Sequence, residues 1–130
     1  MSKRILIVED HSDVRRLIRM SLEMGGYDMR EVGHADAALL QVQRSMPDLI
    51  LLDVCIEGPL NGIALCRRWR ADPALRATRI VMLTSMGNPE DLDAAREAGA
   101  DAYMLKPFSP MQLVELVGTL CAGSEVGAEA

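Results

Sequence analysis

The sequence predicts an α/β protein: a five-stranded parallel sheet, doubly wound, with helices on both faces. Two observations predict it. Short runs that are apolar at nearly every position recur along the chain, and segments with helical spacing lie between them. Runs without polar alternation read as strands buried on both faces, the mark of parallel pairing. Strict β–α alternation then requires right-handed crossovers that distribute helices over both faces of the sheet.

The elements follow in order. Residues 5–8 (Ile-Leu-Ile-Val) form the first strand. Val14, Leu17, Ile18 and Leu22 share the inward face of a first helix, with Arg15, Arg16 and Arg19 opposite, and Gly25-Gly26 stops it. A weaker strand fits 27–32. The second helix covers 35–45, turns Ala35, Ala38, Leu39 and Val42 inward and is closed by Pro47. The third strand is 49–52. The third helix, 62–70, buries Leu65, Cys66 and Trp69 and ends before Asp72-Pro73. The fourth strand is 80–83. The fourth helix opens at Asn88-Pro89, where Asn suits an N-cap and Pro the first helical position, carries Leu92, Ala95 and Ala98, and stops at Gly99. The fifth strand is 102–105. The fifth helix opens at Ser109-Pro110 and turns Leu113, Val114, Leu116, Val117 and Leu120 inward. One domain over 1–122 is expected, with 123–130, rich in Gly, Ala and Glu, as a flexible C-terminal tail and no output module after it.

Composition excludes several classes. The chain has 130 residues, 49% hydrophobic and 25% charged, as in a single soluble globular domain. Its net charge of -5 and pI near 5.0 argue against direct nucleic-acid binding, because an acidic surface repels phosphate backbones. No apolar run approaches the ~20 residues that span a bilayer, and the start lacks a signal peptide's long apolar region, so a cytoplasmic location without membrane insertion is expected. Three cysteines, Cys55, Cys66 and Cys121, are odd in number and lack CxxC spacing, which reads as inert thiols. His11 and His34 read as surface or helix-start residues.

In an open parallel sheet, ligands bind beyond the carboxyl ends of the strands. Glu9 and Asp10 follow the first strand, Asp53 the third, Thr84 and Ser85 the fourth, and Lys106-Pro107 the fifth. Three carboxylates on one edge repel one another and push a pKa upward. A hard divalent cation removes that penalty, and magnesium, an octahedral oxygen binder that keeps several waters, suits the donor set. With one such ion and Lys106 the charges balance. An ionised Asp53 is then a competent nucleophile at neutral pH, with the metal and Lys106 placed to stabilise phosphoryl oxygens and the Thr84 hydroxyl to donate to one of them.

These residues, together with 98–103 (Ala-Gly-Ala-Asp-Ala-Tyr) and Phe108 after the lysine, resemble the receiver domain of bacterial response regulators, CheY-like proteins of two-component signalling, from about Arg4 to Leu120. The resemblance implies a flavodoxin-like strand order 2-1-3-4-5, and magnesium held by Glu9, Asp10, Asp53 and the backbone carbonyl of Cys55. It implies Asp53 as the phosphoacceptor, helped by Thr84 and Lys106, with a cis peptide between Lys106 and Pro107. Thr84 and Tyr103 are the implied switch pair. The implied donor is a sensor histidine kinase or a histidine phosphotransfer protein. The readout is contact with a downstream effector, through the fourth helix, fifth strand and fifth helix. Such a protein is a phosphoacceptor switch and not a turnover enzyme.

The chain departs from the family's pattern after Asp53. Glu57 stands where the family usually has proline, and one residue is inserted before Asn61-Gly62. Cys55 and Met86 occupy positions that tune hydrolysis in the family; neither side chain orients water well, so slow self-dephosphorylation is expected. Two other readings compete. A flavodoxin-like electron carrier shares the topology, but Glu9-Asp10-His11 would repel a flavin phosphate. A receiver-like interaction module that is never phosphorylated would leave the acidic cluster without a use.

Overall fold

In the computed structural model, which describes residues 2–56, 58, 60–85 and 89–122, the chain alternates strand and helix throughout. The elements are β1 (Arg4–Val8), α1 (Ser12–Leu22), β2 (Asp28–Val32), α2 (Ala35–Arg44), β3 (Leu49–Asp53), α3 (Gly62–Arg70), β4 (Arg79–Thr84), α4 (Pro89–Glu97), β5 (Ala102–Leu105) and α5 (Pro110–Cys121). Short 3-10 turns at Glu23–Gly25 and Pro73–Leu75 follow α1 and α3. The sheet order is β2-β1-β3-β4-β5, all pairs parallel, as expected.

The period-2 alternation of strands divides the core in two. Leu6, Val8, Ile50, Leu52, Ile80 and Met82 face the side covered by α2, α3 and α4. Ile5, Ile7, Leu49, Leu51, Val81 and Leu83 face the side covered by α1 and α5, where they meet Ile18, Leu22, Leu113 and Val117. Apolar burial on both faces of β1, β3 and β4 is what holds the strand ends, and the polar residues just past them, in fixed register.

Three expectations need correction. Helical spacing predicts Leu17 and Val114 to face inward, but they are 41% and 45% exposed. Each neighbours a fully buried residue, Ile18 or Leu113. Consecutive helical residues lie about 100° apart, so a helix lying flat on a sheet gives only one of such a pair the central position. Strand β5 is not buried on both faces: its residues are partly exposed, and Leu105 is 46% exposed, because β5 is an edge strand. The N-cap role of Asn88, the hydrolysis-tuning position Met86, Glu57 and the tail 123–130 lie outside the described residues.

Candidate functional site

The carboxyl ends of β1, β3, β4 and β5 bring together the acids, the hydroxyl and the lysine singled out in the sequence. Asp53, the last residue of β3, pairs in register with Leu83 of β4. Thr84 follows Leu83 and pairs with Leu105 of β5, and the Lys106 N–H donates to the Thr84 carbonyl at 2.8 Å. The peptide bond between Lys106 and Pro107 is cis, as expected. Glu9, Asp53 and Thr84 are all buried, at 0%, 3% and 4% exposure.

The Lys106 ammonium connects the acids. It lies 2.5 Å from Glu9 Oε1 and 3.5 Å from Asp53 Oδ1. The Cys55 N–H donates to Asp53 Oδ1 at 3.1 Å, which fixes the carboxylate and places the Cys55 backbone beside it. Glu9, Asp10, His11 and Asp53 each offer a ligand atom, and these atoms lie within 4.8 Å of one another. Asp10 Oδ1 is buried without a hydrogen-bond partner among the described residues, although the His11 Nδ1 is 3.1 Å away. That imidazole nitrogen is instead committed to Glu9 Oε2 at 2.9 Å. A buried carboxylate oxygen without a donor is destabilising, and a divalent cation is the group that satisfies it. The donor set of hard carboxylate oxygens fits magnesium.

The titration behaviour follows from this crowding. Burial is the largest influence on Asp53 and raises its carboxyl above the usual range; the negative charge of Glu9 adds to the rise, while the Cys55 N–H and Lys106 oppose it. For Lys106, burial disfavours the ammonium, but the Glu9 hydrogen bond and the charges of Asp53 and Glu9 outweigh it and hold the pKa above its ordinary value. Burial also opposes ionisation of Asp10, yet its interactions with the neighbouring Glu9 and Asp53 carboxyls, which can share a proton, and the His11 charge leave it lowered.

Three supporting residues escaped the sequence reading. Arg15, assigned to a solvated face, donates from Nη1 to the Glu9 carbonyl at 2.6 Å and pairs with Glu31 at 3.4 Å, which anchors the acidic turn. Gly62 lies against the acceptor: a Cβ there would sit 2.2 Å from the Asp53 carbonyl oxygen, and its N–H donates to the Val54 carbonyl at 2.9 Å. His11 turns its ring onto the acids. The signal for Gly62 was present as a glycine at a helix start, but its contact is set by tertiary packing.

Tyr103 of β5 pairs in register with Met82, and its partly buried ring packs on the side of the sheet covered by α2, α3 and α4. Thr84 lies two residues beyond Met82 on β4, so strand alternation puts Thr84 and Tyr103 on the same face of neighbouring strands. Of the two cysteines away from the site, Cys66 is buried and Cys121 partly so: burial pushes Cys66 up to about 11 and also raises Cys121. Cys55 is exposed.

Comparison with known proteins agrees with this geometry. Residues 5–118 match the family model of the response regulator receiver domain. The chain is 40% identical over 114 residues to the phosphate regulon transcriptional regulatory protein PhoB of Escherichia coli, covering 88% of this chain and 49% of PhoB. It is 39% identical over 117 residues to the DNA-binding response regulator MtrA of Mycobacterium tuberculosis, covering 90% of this chain and 50% of MtrA. The chain thus spans about half the length of the curated relatives it matches. Among solved structures, the signal receiver domain of a signal transduction histidine kinase from Syntrophus aciditrophicus is similar at a TM-score of 0.86 and 33% identity, over 94% of this chain and 92% of that one.

Proposed function

Because the chain belongs to the response regulator receiver domain family of two-component signalling, we propose that its function is to accept a phosphoryl group on Asp53 and, in that state, to change its protein contacts. The observation that carries the proposal is the convergence of Glu9, Asp10 and Asp53 with Lys106 at one sheet edge.

The residues divide the work. A carboxylate oxygen of Asp53 attacks the phosphorus of a phosphohistidine, the P–N bond breaks, and an acyl phosphate forms. The hydrogen bond that Asp53 accepts from the Cys55 N–H and its ion pair with Lys106 hold it in one orientation. Lys106, kept protonated by Glu9, offers positive charge to the incoming oxygens. Glu9, Asp10, Asp53 and the Cys55 carbonyl would hold magnesium, which supplies charge neutralisation to phosphoryl oxygens when bound. The Thr84 hydroxyl donates to a phosphoryl oxygen, and Tyr103, on the same face of the adjacent strand, repacks as Thr84 moves. The donor chemistry is that of a sensor histidine kinase or histidine phosphotransfer protein, and the readout is an effector contact at α4, β5 and α5.

The test is incubation with a small phosphodonor such as acetyl phosphate plus magnesium, followed by intact mass. Wild type gains one phosphoryl group and Asp53→Asn gains none. No gain by wild type under conditions that label a control receiver would establish the non-phosphorylated interaction module instead.

A further inference from the structure

The two histidines occupy equivalent places and are used differently. Each is the N-cap residue of a helix that follows a strand, His11 for α1 and His34 for α2. His34 performs the capping: its Nδ1 accepts from the Asp36 N–H at 3.2 Å. His11 makes no side-chain cap bond. Its ring is turned back onto the acids, with Nδ1 2.9 Å from Glu9 Oε2 and 3.1 Å from Asp10 Oδ1.

Those two separations carry chemical information. In an octahedral complex with metal–ligand bonds of about 2.1 Å, adjacent ligand atoms are about 3.0 Å apart. His11 Nδ1 therefore already stands at the spacing of a neighbouring ligand from both Glu9 Oε2 and Asp10 Oδ1, within a set of ligand atoms that all lie within 4.8 Å of one another. Lys106 engages the other oxygen of Glu9, Oε1, and leaves Oε2 to His11, whose backbone N–H also donates to it at 3.1 Å. In the hydrogen bond to Glu9 the Nδ1–H points at a carboxylate oxygen. Once that proton leaves to solvent, the nitrogen lone pair points the same way. The exposed Cys55 thiol is not part of the convergent set, so sulfur adds nothing to the donor chemistry.

Building on the receiver reading, we propose that His11 is a nitrogen ligand to the metal at this site. The site accordingly favours late first-row divalent ions, nickel and zinc among them, over magnesium more strongly than three carboxylates and a carbonyl would. Imidazole suits these ions and adds little for magnesium, which takes oxygen.

The test measures Ni2+ and Mg2+ binding separately by calorimetry for wild type, His11→Ala and Asp10→Asn, with the proton NMR spectrum of the Co2+-loaded protein as a second readout. His11 is exposed and makes no cap bond, so its alanine variant keeps the fold. Loss of a direct ligand should weaken Ni2+ by about tenfold or more, at least the scale seen for removing a supporting group. Mg2+ binding should stay within about threefold. A shifted, exchangeable imidazole N–H resonance should appear in wild type with Co2+ and vanish in His11→Ala. Asp10→Asn should weaken both ions. Unchanged Ni2+ binding in His11→Ala, or a loss equal for the two ions, overturns the role of His11 while the Asp10→Asn result upholds the site. If wild type binds neither ion, or Asp10→Asn binds both as wild type does, the metal site itself is wrong and the His11 proposal fails with it.

Discussion

The two edges of the sheet use aspartate in opposite ways. At the amino edge, every acid involved has a matched donor. Asp101, just before β5, accepts from the Ile80 N–H at 2.8 Å and pairs with Arg70 and, at 3.3 Å, with Arg79. Arg70 extends the network to the carbonyls of Gly99 and Leu75. Asp48 accepts from the Arg4 N–H at 2.7 Å, and the buried Thr78 hydroxyl donates to the Pro47 carbonyl at 2.8 Å. At the carboxyl edge three acids converge, two of them on Lys106, and Asp10 Oδ1 has no hydrogen-bond donor among the described residues. One edge spends its charges on holding the fold; the other holds charges that destabilise the fold until a cation and a phosphoryl group arrive. This is the stability–function trade-off expected at a working site.

The sharpest test of the contrast removes one acid from each edge. Asp101→Ala leaves the Ile80 N–H and two guanidiniums without their acceptor, and should lower stability by about 2 kcal/mol, the scale of a charge-assisted network. Denaturant unfolding of the variant measures it. Stability equal to wild type would mean that the amino-edge pairs are as exchangeable as ordinary surface ion pairs.

Asp53→Asn should do the reverse, raising the stability of the metal-free protein at neutral pH by on the order of 1 kcal/mol, because it removes a buried charge. The pH dependence has a definite sign. Burial and Glu9 raise the folded-state pKa of Asp53 above its unfolded value, so its favourable contribution is present below the unfolded pKa and is lost as pH rises through the folded one. The advantage of asparagine should therefore shrink as pH falls from neutral toward the ordinary carboxylate range. Magnesium should narrow it from the other side, since an ion that binds the folded wild type stabilises it. Thermal melts with and without magnesium at several pH values check both trends, and a destabilised asparagine variant would contradict the account of this edge.

Which parts of this contrast could be read in the sequence depends on how local each cause is. The strands β1, β3 and β4 were legible because burial on both faces leaves no polar residue in their central runs, 5–8, 49–52 and 80–83. Glu9, Asp10, Asp53, Thr84 and Lys106 were legible because the fold class dictates that strand-end residues share an edge. Leu17 and Val114 were misplaced because periodicity marks an apolar stripe wider than the strip the sheet covers. Arg15 and Gly62 were missed because their partners, the carbonyls of Glu9 and Asp53, are backbone atoms that no residue type advertises. The Asp101 network was missed for a related reason: it joins residues 22 and 31 positions apart around a strand start. No periodic pattern encodes such a meeting.

The smallest expected effect separates the two histidines. His34 caps α2 through a hydrogen bond from the Asp36 N–H, so His34→Ala should destabilise the protein by roughly 0.5–1 kcal/mol, at the lower end for N-cap losses because the acceptor is a 3.2 Å imidazole contact. His34→Asn should recover the loss, since an amide oxygen accepts the same bond. His11→Ala should leave metal-free stability nearly unchanged, because no helix N–H depends on that ring. Equal losses from the two alanine variants would show that the turned-back ring of His11 stabilises the fold by its contacts with Glu9 and Asp10. The line drawn between a structural and a functional strand end would then have to be moved to the other side of α1.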